Sequence, residues 1–366
     1  MKHSNITNIF YSILLSNTIL YICIPAIKAL STPSSSSNTN CGASTLRKIL
    51  TDSLDTKTAI PLPGVHDALS ARIFCQNQIP ALFVSGFGIS ASQYALPDAG
   101  ILTLSQMEEM TQNIMSSIRS TNHIYDNKME FPLIVDGDTG YGGAQNVQRT
   151  IHQFAFAGAA AITIEDQTFP KKCTYAAGES IQVLSQMSAC RRIQTAVAAR
   201  EELRTKYNKD VLIIGRTDCR AALGMEEVKE RCRLFEDLGA DIVYAENLQS
   251  WVEYRELREH LNPRTPMMLA QLQLGNDGTE QQRIYSLEEI GDMGYNLALF
   301  GVSALQATIS ALDSVAKGFS NGQVVYPMDN SKEEGETKVS LSSFSQVKNV
   351  VGFPELESFV EEFPCL

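Results

Sequence analysis

Histidine is scarce in this chain of 366 residues: His3, His66, His123, His152 and His260 are the five, and none falls in an HExxH or similar spacing. Zinc, which is usually held by closely spaced imidazoles and thiolates, is therefore disfavoured. The eight cysteines, Cys23, Cys41, Cys75, Cys173, Cys190, Cys219, Cys232 and Cys365, are scattered and include no CxxC pair, so a disulfide framework is not expected. Cys75, Cys190 and Cys232 sit in helix-like patterns, where a thiol acts as a small buried hydrophobe. Lys and Arg never run longer than a pair and the formal net charge is −11, which repels polyphosphates and speaks against a nucleic-acid partner. Gly86-Phe87-Gly88 lacks the third glycine of a dinucleotide-binding turn, which weakens a doubly wound reading. With 44% hydrophobic and 19% charged residues, the chain is neither disordered nor fibrous and can bury one large core or two modest ones.

No Lys, Arg, Asp or Glu occurs between Lys2 and Lys28, and Ile9 to Ile27 is rich in Ile, Leu, Tyr and Phe. This reads as a signal segment, with Ile27-Lys28-Ala29 a loose cleavage-site match. An uncleaved anchor is the alternative, since the apolar span approaches the ~20 residues needed to cross a bilayer, although polar residues interrupt it. The Ser/Thr/Asn-rich run Ser31 to Asn40 then serves as a linker or as the second part of a targeting presequence. The expected destination is an organelle, a plastid or another ER-routed compartment, with secretion as the alternative and no membrane contact after processing.

What the chain does have is a recurring alternation of short apolar runs and helix-like stretches. Eight candidate strands follow: Ile60 to Val65, Ala81 to Ser85, Leu133 to Asp136, Ala160 to Ile164, Val211 to Gly215, Asp241 to Ala245, Met267 to Ala270 and Leu297 to Phe300. Between them, Leu104 to Ile118, Val147 to Ala157, Met187 to Tyr207 and Met225 to Leu238 show helical spacing, and Gly158, Gly239 and Gly294 stand where helices should end. Eight alternations over ~250 residues match an α/β protein with a (β/α)8 TIM barrel, whose active site forms at the carboxyl ends of the strands. The expected organisation is a targeting segment and linker over residues 1–40, a catalytic barrel over 41–318 and a C-terminal helical appendage over 319–366.

Polar residues cluster at those strand ends: Ser85-Gly86, Asp136 and Asp138, Glu165, Arg216 and Asp218, Glu246, and Gln271. Singly, each has an ordinary structural explanation: Asp-Gly-Asp as turn chemistry, Arg216 as an ion-pair partner, Glu246 as an aid to the helix beginning near Ser250. Together they would set several charges in one barrel mouth, which is costly unless they are paired or hold a metal. Hard oxygen donors of this kind suit Mg²⁺, which keeps several waters and takes one or two carboxylates directly. Cys173 follows Lys171 and Lys172, cations that lower a thiol's pKa toward the range of a proton donor.

Six segments carry a specific resemblance. They are Ser85-Gly-Phe-Gly-Ile-Ser-Ala-Ser92, Leu96-Pro-Asp98, Val135-Asp-Gly-Asp-Thr-Gly-Tyr-Gly142, Ile164-Glu-Asp-Gln167, Lys171-Lys-Cys173 and Gly215-Arg-Thr-Asp218. From about Leu62 to Lys317 the chain resembles the isocitrate lyase and phosphoenolpyruvate mutase superfamily, and most of all its 2-methylisocitrate lyase, oxaloacetate hydrolase and carboxyphosphonoenolpyruvate mutase-like members. The resemblance implies a Mg²⁺-dependent barrel, with Mn²⁺ as a substitute, assembled as a homotetramer that exchanges the last barrel helix between subunits. It implies that Ser85, Gly86 and Phe87 grip the carboxylate of a small substrate acid, and that Asp136, Asp98, Asp138 and Glu165 hold the metal directly or through water. Arg216 would pair with a substrate carboxylate, Glu246 would lie near the leaving fragment, and Cys173 would be the general acid on a closing loop. Lys172, Gln271 and Ser303 are further candidate substrate contacts.

The implied reaction is cleavage of a carbon-carbon bond in a 2-hydroxy or 2-oxo di- or tricarboxylate through an enolate. Phosphonate chemistry is the alternative within the superfamily, and a catalytically silent binding barrel the alternative outside it. The mutase branch carries an amide in place of the cysteine, so Cys173 favours a lyase or hydrolase. The lyases follow this cysteine with Gly-His where this chain has Thr174-Tyr175, usually end strand seven in Asn where it has Gln271, and often have an aromatic-Pro pair where it has Phe300 to Ser303. A reshaped pocket is expected.

Overall fold

The computed structural model describes residues 41–124, 130–177, 180–272, 283–322 and 341–362. The expected signal segment and linker, Gly178 and the polar stretch Asp329 to Thr337 lie outside the described residues. Among the described residues no helix is long and apolar enough to cross a membrane.

Eight parallel strands close into a barrel in chain order: β1 (Ile60–Val65), β2 (Leu82–Val84), β3 (Leu133–Asp136), β4 (Ala161–Glu165), β5 (Leu212–Thr217), β6 (Ile242–Ala245), β7 (Met267–Ala270) and β8 (Leu297–Phe300). Closure is made by β1 against β8, with Ile60 opposite Leu297 and Leu62 opposite Leu299. β5 runs past the expected end at Gly215 to Arg216 and Thr217, which pair with β4 and β6. The apolar run stops earlier than the strand because its last positions carry polar side chains. The helix expected over Leu104 to Ile118 continues to Ile124, and within the added turn Thr121 is buried and donates to the Ser117 carbonyl at 2.8 Å.

Side chains alternate across a strand, and here the alternation separates two environments. Leu62, Phe83, Ile134, Leu212, Ile214, Tyr244 and Leu299 share one parity and belong to one apolar cluster that also takes in Leu46 and Leu50 of the helix Cys41–Thr56. They fill the barrel, and that helix closes its amino-terminal end. The opposite parity, including Val135, Ile162, Ile213, Val243 and Leu269, packs outward against helix residues such as Ile151, Ile193, Cys232 and Leu257. Carried two residues further, the inward parity delivers Asp136, Glu165, Arg216 and Glu246 to the carboxyl end, where the apolar filling gives way to charge.

Two glycines fix the chain path there. Gly158 ends the helix Ala144–Ala157 in the left-handed region at φ 111°. A Cβ on Gly137 would stand 2.4 Å from the Thr163 carbonyl oxygen, so only glycine lets β3 leave the barrel this close to β4.

Behind β4 and β5 lies a buried ion pair. Arg231, 1% exposed, places Nη1 2.8 Å from Asp166 Oδ2 and also donates to Glu227 and to the Leu184 carbonyl. Asp166 further accepts from Thr217 Oγ1 at 2.6 Å and from the Asp218 amide at 2.9 Å, tying the ends of the two strands together. Removing one partner of such a pair strands a buried charge and costs about 3–5 kcal/mol. Arg231→Ala should lower unfolding free energy by that amount in urea titration, whereas Arg233→Ala, a surface ion-pair residue two positions away, should leave it nearly unchanged.

Candidate active site

A cavity of about 310 Å³ opens at the carboxyl end of the barrel. Ten of the residues singled out from the sequence line it: Ser85, Phe87, Asp98, Asp136, Glu165, Lys172, Cys173, Arg216, Glu246 and Gln271. Gly86 and Asp138 stand directly behind this lining, because a Cβ on Gly86 would lie 3.0 Å from Asp136 Oδ2 and Asp138 pairs with the lining residue Lys171. Ser303 is exposed at the start of the helix Ser303–Ser320 and does not line the cavity; Gly301 and Val302 do.

Ser85 caps the helix Gly86–Tyr94, accepting from the Gly88 amide at 3.0 Å. The first amides of a helix have no intrahelical acceptor, so those of Gly86 and Phe87 are the donors available to an anion. On β3, Asp136 Oδ1 accepts from Thr163 Oγ1 at 3.1 Å and from the Asp138 amide at 3.3 Å. Burial works against its charge, but Lys171 and Arg216 outweigh burial and hold the carboxyl below its usual range.

Lys171 is the hub of the acidic side. Its ammonium is 2.9 Å from Asp98 and in contact with Asp138, and although burial opposes its charge, Asp138, Asp98, Asp136 and Glu165 raise its pKa. Asp138 has left the strand in the left-handed region at φ 48°, so it meets Asp136 through the turn and not through strand alternation. Burial, only partly offset by Lys171 and reinforced by Asp136 and Asp98, lifts Asp138 to about 7. Sequence reasoning selected Lys172 and passed over Lys171. A loop has no period to say which of two adjacent lysines turns inward; here Lys172 donates outward to the Ser180 carbonyl at 3.1 Å.

Glu165 is 1% exposed and neither carboxylate oxygen has a hydrogen-bond partner; Arg216 Nε lies 3.5 Å from Oε2. Burial, offset by Arg216 and reinforced by Asp218, raises its pKa well above the carboxylate range. Arg216 is itself clamped by Asp218, at 2.7 Å and 3.1 Å, and its Nη2 lies 3.4 Å from Glu246. Glu246 accepts from the Tyr244 hydroxyl and the Asn247 amide, and burial raises its pKa despite Arg216.

The thiol loop is pinned to the same framework. Gln167 bonds the Lys172 backbone at both its amide, 2.9 Å, and its carbonyl, 3.0 Å, and also donates to Asp218. Cys173 follows directly, half-buried on the cavity wall. By contrast Cys75 and Cys219 are packed away, and burial lifts each thiol to about 12. Gln271 spends its side-chain amide on the Tyr285 backbone, 2.7 Å and 3.2 Å, bracketing the loop after β7.

Among the described residues no three His, Cys, Asp or Glu side chains converge at metal-ligand spacing. The donor set still fits a hard divalent cation. Mg²⁺ needs only one or two direct carboxylates with water completing its shell, and two orphaned, fully buried oxygens on Glu165 are costly unless something positive or a donor meets them. Asp136 and Glu165 would supply direct or water-mediated ligands to such an ion, and Asp98 and Asp138 the surrounding negative charge.

The chain is similar to several known enzymes. A 2-methylisocitrate lyase from Aeropyrum pernix is 32% identical over 269 residues, 74% of this chain and 78% of that protein. A 2,3-dimethylmalate lyase from Eubacterium barkeri is 28% identical over 83% of this chain and 94% of its own. Among solved structures, a phosphonopyruvate hydrolase in complex with oxalate and Mg²⁺ superposes with TM-score 0.67 at 25% identity, over 88% of this chain and 99% of that one. The phosphoenolpyruvate phosphomutase family model matches residues 50–320, so this chain belongs to the isocitrate lyase and phosphoenolpyruvate mutase superfamily of enzymes acting on small carboxylates.

Proposed function

We propose that the chain is a Mg²⁺-dependent lyase or hydrolase that cleaves a carbon-carbon bond in a small 2-hydroxy or 2-oxo di- or tricarboxylate. The observation that carries this reading is one cavity holding the orphaned Glu165 carboxylate, Asp136, Arg216 and the Cys173 thiol. The amides of Gly86 and Phe87, at a helix amino terminus, bind the substrate's carboxylate. Arg216, held by Asp218, orients a second carboxylate, and Glu246 faces the departing fragment. Mg²⁺, or Mn²⁺ in its place, when held by Asp136 and Glu165, supplies the positive charge that stabilises a developing oxyanion. With a 2-hydroxy acid the hydroxyl proton passes to a base as the bond breaks; with a 2-oxo acid water first adds to the carbonyl to make that hydroxyl; in both cases Cys173 returns a proton to the carbon left behind. Phosphonate chemistry is the competing reading, supported by the similarity to a phosphonopyruvate hydrolase. Phosphorus NMR on phosphonopyruvate, with loss or migration of the carbon-phosphorus bond, would favour it.

The proposal extends to assembly. Along the helix Ser303–Ser320 only Leu305 and Gly318 are buried, while Ile309, Leu312 and Phe319 are each more than half exposed. A second copy of this chain, receiving that helix in a helix-exchanged tetramer, would cover those side chains.

Three outcomes test these statements. Cys173→Ser should slow cleavage by about 10²–10⁴-fold while leaving circular dichroism and Mg²⁺ binding unchanged; undiminished turnover would sink the general-acid role. Because the fold raises the Glu165 pKa, the metal-free protein loses stability as pH climbs from the unfolded value near 4 toward the raised folded value. Glu165→Gln should therefore be the more stable protein without metal, by about 1–3 kcal/mol, with the gap widening between pH 5 and pH 8 in thermal unfolding. Added Mg²⁺ should stabilise the parent and not the variant. Ile309→Asp combined with Leu312→Asp should convert the oligomer to monomers in light-scattering chromatography.

A further inference from the structure

The loop that carries Cys173 leaves the barrel and returns on two paired stems. Thr168 N donates to the Gln182 carbonyl at 2.9 Å, Leu184 N donates to the Asp166 carbonyl at 2.9 Å, and Gln167 and Val183 form an antiparallel bridge between them. Each stem is also held by an arginine of the outer helix layer. Arg231 takes the returning stem at the Leu184 carbonyl. Arg192, on the helix Gln186–Tyr207, takes the outgoing one: its Nη1 donates to the Glu165 carbonyl at 2.7 Å and to the Gln167 carbonyl at 2.8 Å. Carbonyls two residues apart in extended backbone point the same way, so a single nitrogen spans both.

The two residues that Arg192 joins serve different parts of the site. Glu165 carries the carboxylate with no hydrogen-bond partner on either oxygen, and its own amide is tied to the Asp138 carbonyl at 3.0 Å. Gln167 brackets the Lys172 backbone, at 2.9 Å and 3.0 Å, one residue before the thiol. Between them stands only Asp166, whose side chain pairs with Arg231. Arg192 is half-buried, with Ala189 and Ala196 of the same helix face buried on either side of it, and burial lowers its pKa against the pull of Glu165 and Asp166. A guanidinium so placed, bonded to backbone carbonyls on both sides of Asp166, costs desolvation that a mobile surface arginine avoids. Arg192 is not among the residues lining the cavity, so whatever it does for the chemistry it does through others.

We propose that Arg192 is a positioning residue of this site: acting from outside the barrel, it fixes the backbone of Glu165 against that of Gln167 and so sets where the Cys173 loop stands relative to the metal-binding carboxylate. The proposal rests on the roles proposed for Glu165 and Cys173 and adds the group that keeps the two in register.

Arg192→Met and Arg192→Lys test it in the full-length protein, with Arg191→Met, a change at the exposed neighbour, as the control. Two quantities are read: calorimetric affinity for oxalate in the presence of Mg²⁺, and the rate at which iodoacetamide alkylates Cys173, followed by mass spectrometry of the peptide that contains it. Arg192→Met should weaken Mg²⁺-dependent oxalate binding by about 10–100-fold, the scale on which the outer partners of a metal ligand act, and should raise the alkylation rate of the metal-free protein. Arg192→Lys, which keeps the charge but not the planar fork, should recover part of both; Arg191→Met should change neither. A role confined to stability would lower the thermal midpoint of Arg192→Met and leave both quantities at parent values. That result overturns the proposal, as does a change in only one of the two. If Arg192→Met does not fold, Arg192→Lys carries the test, and parent-like values of both quantities overturn the proposal. An unsubstituted protein that binds no oxalate with Mg²⁺ removes the metal reading; the alkylation rate of Arg192→Met then decides alone, a raised rate upholding the role of Arg192 and an unchanged one overturning it.

Discussion

Burial of like charge at one end of the barrel is the constraint on which the rest of this structure depends. Asp136, Asp138, Glu165, Asp166, Asp218 and Glu246 are all buried there. The barrel interior below them is filled mainly by apolar side chains, which offer their charge little solvation on that side. Three cations make the arrangement tenable: Lys171 among Asp98 and Asp138, Arg216 between Asp218 and Glu246, and Arg231 against Asp166. Each sits where a second carboxylate would otherwise repel the first. Of these six only Glu165 is left with no hydrogen bond on either oxygen, a deficit that a divalent cation would answer.

The same contacts join the chemistry to the fold. Asp166 bridges β4 and β5 and leans on Arg231 from the outer helix layer, so the positions of Glu165 and Arg216 are set by packing outside the barrel. Asp218 clamps Arg216 on one side and receives Gln167 on the other, and Gln167 in turn holds the Lys172 backbone. A carboxylate drawn to Arg216, as the proposed function has it, would therefore pull on the framework that carries Cys173. Tyr175 adds a second tie from that loop to the barrel through Glu246.

Much of this was legible in the sequence, and the remainder escaped for identifiable reasons. Four strands have the boundaries that the apolar runs gave them, and β5 outran its apolar run because Arg216 and Thr217 occupy its last positions. The cavity gathers most of the strand-end residues because alternation from an apolar core dictates which side chains face inward. Residues off the strands were harder to place. Lys171 and Lys172 are indistinguishable by pattern, and Asp138 reaches Lys171 only through a left-handed turn. Gln167, Asp166 and Tyr244 act through contacts distant in sequence, which no local spacing announces. Ser303, a candidate substrate contact in the sequence, opens a helix, and Val302 faces the cavity instead.

The central claim is that Asp136 and Glu165 are held ready for a divalent cation that in turn makes a binding site for a small acid. Calorimetric titration of oxalate, a compact mimic of an enolate, tests it most directly when run with and without Mg²⁺. The account predicts one oxalate per chain with Mg²⁺ present, and loss of that binding when Mg²⁺ is chelated or when Asp136→Asn is introduced. Oxalate binding of equal strength without Mg²⁺ would contradict it.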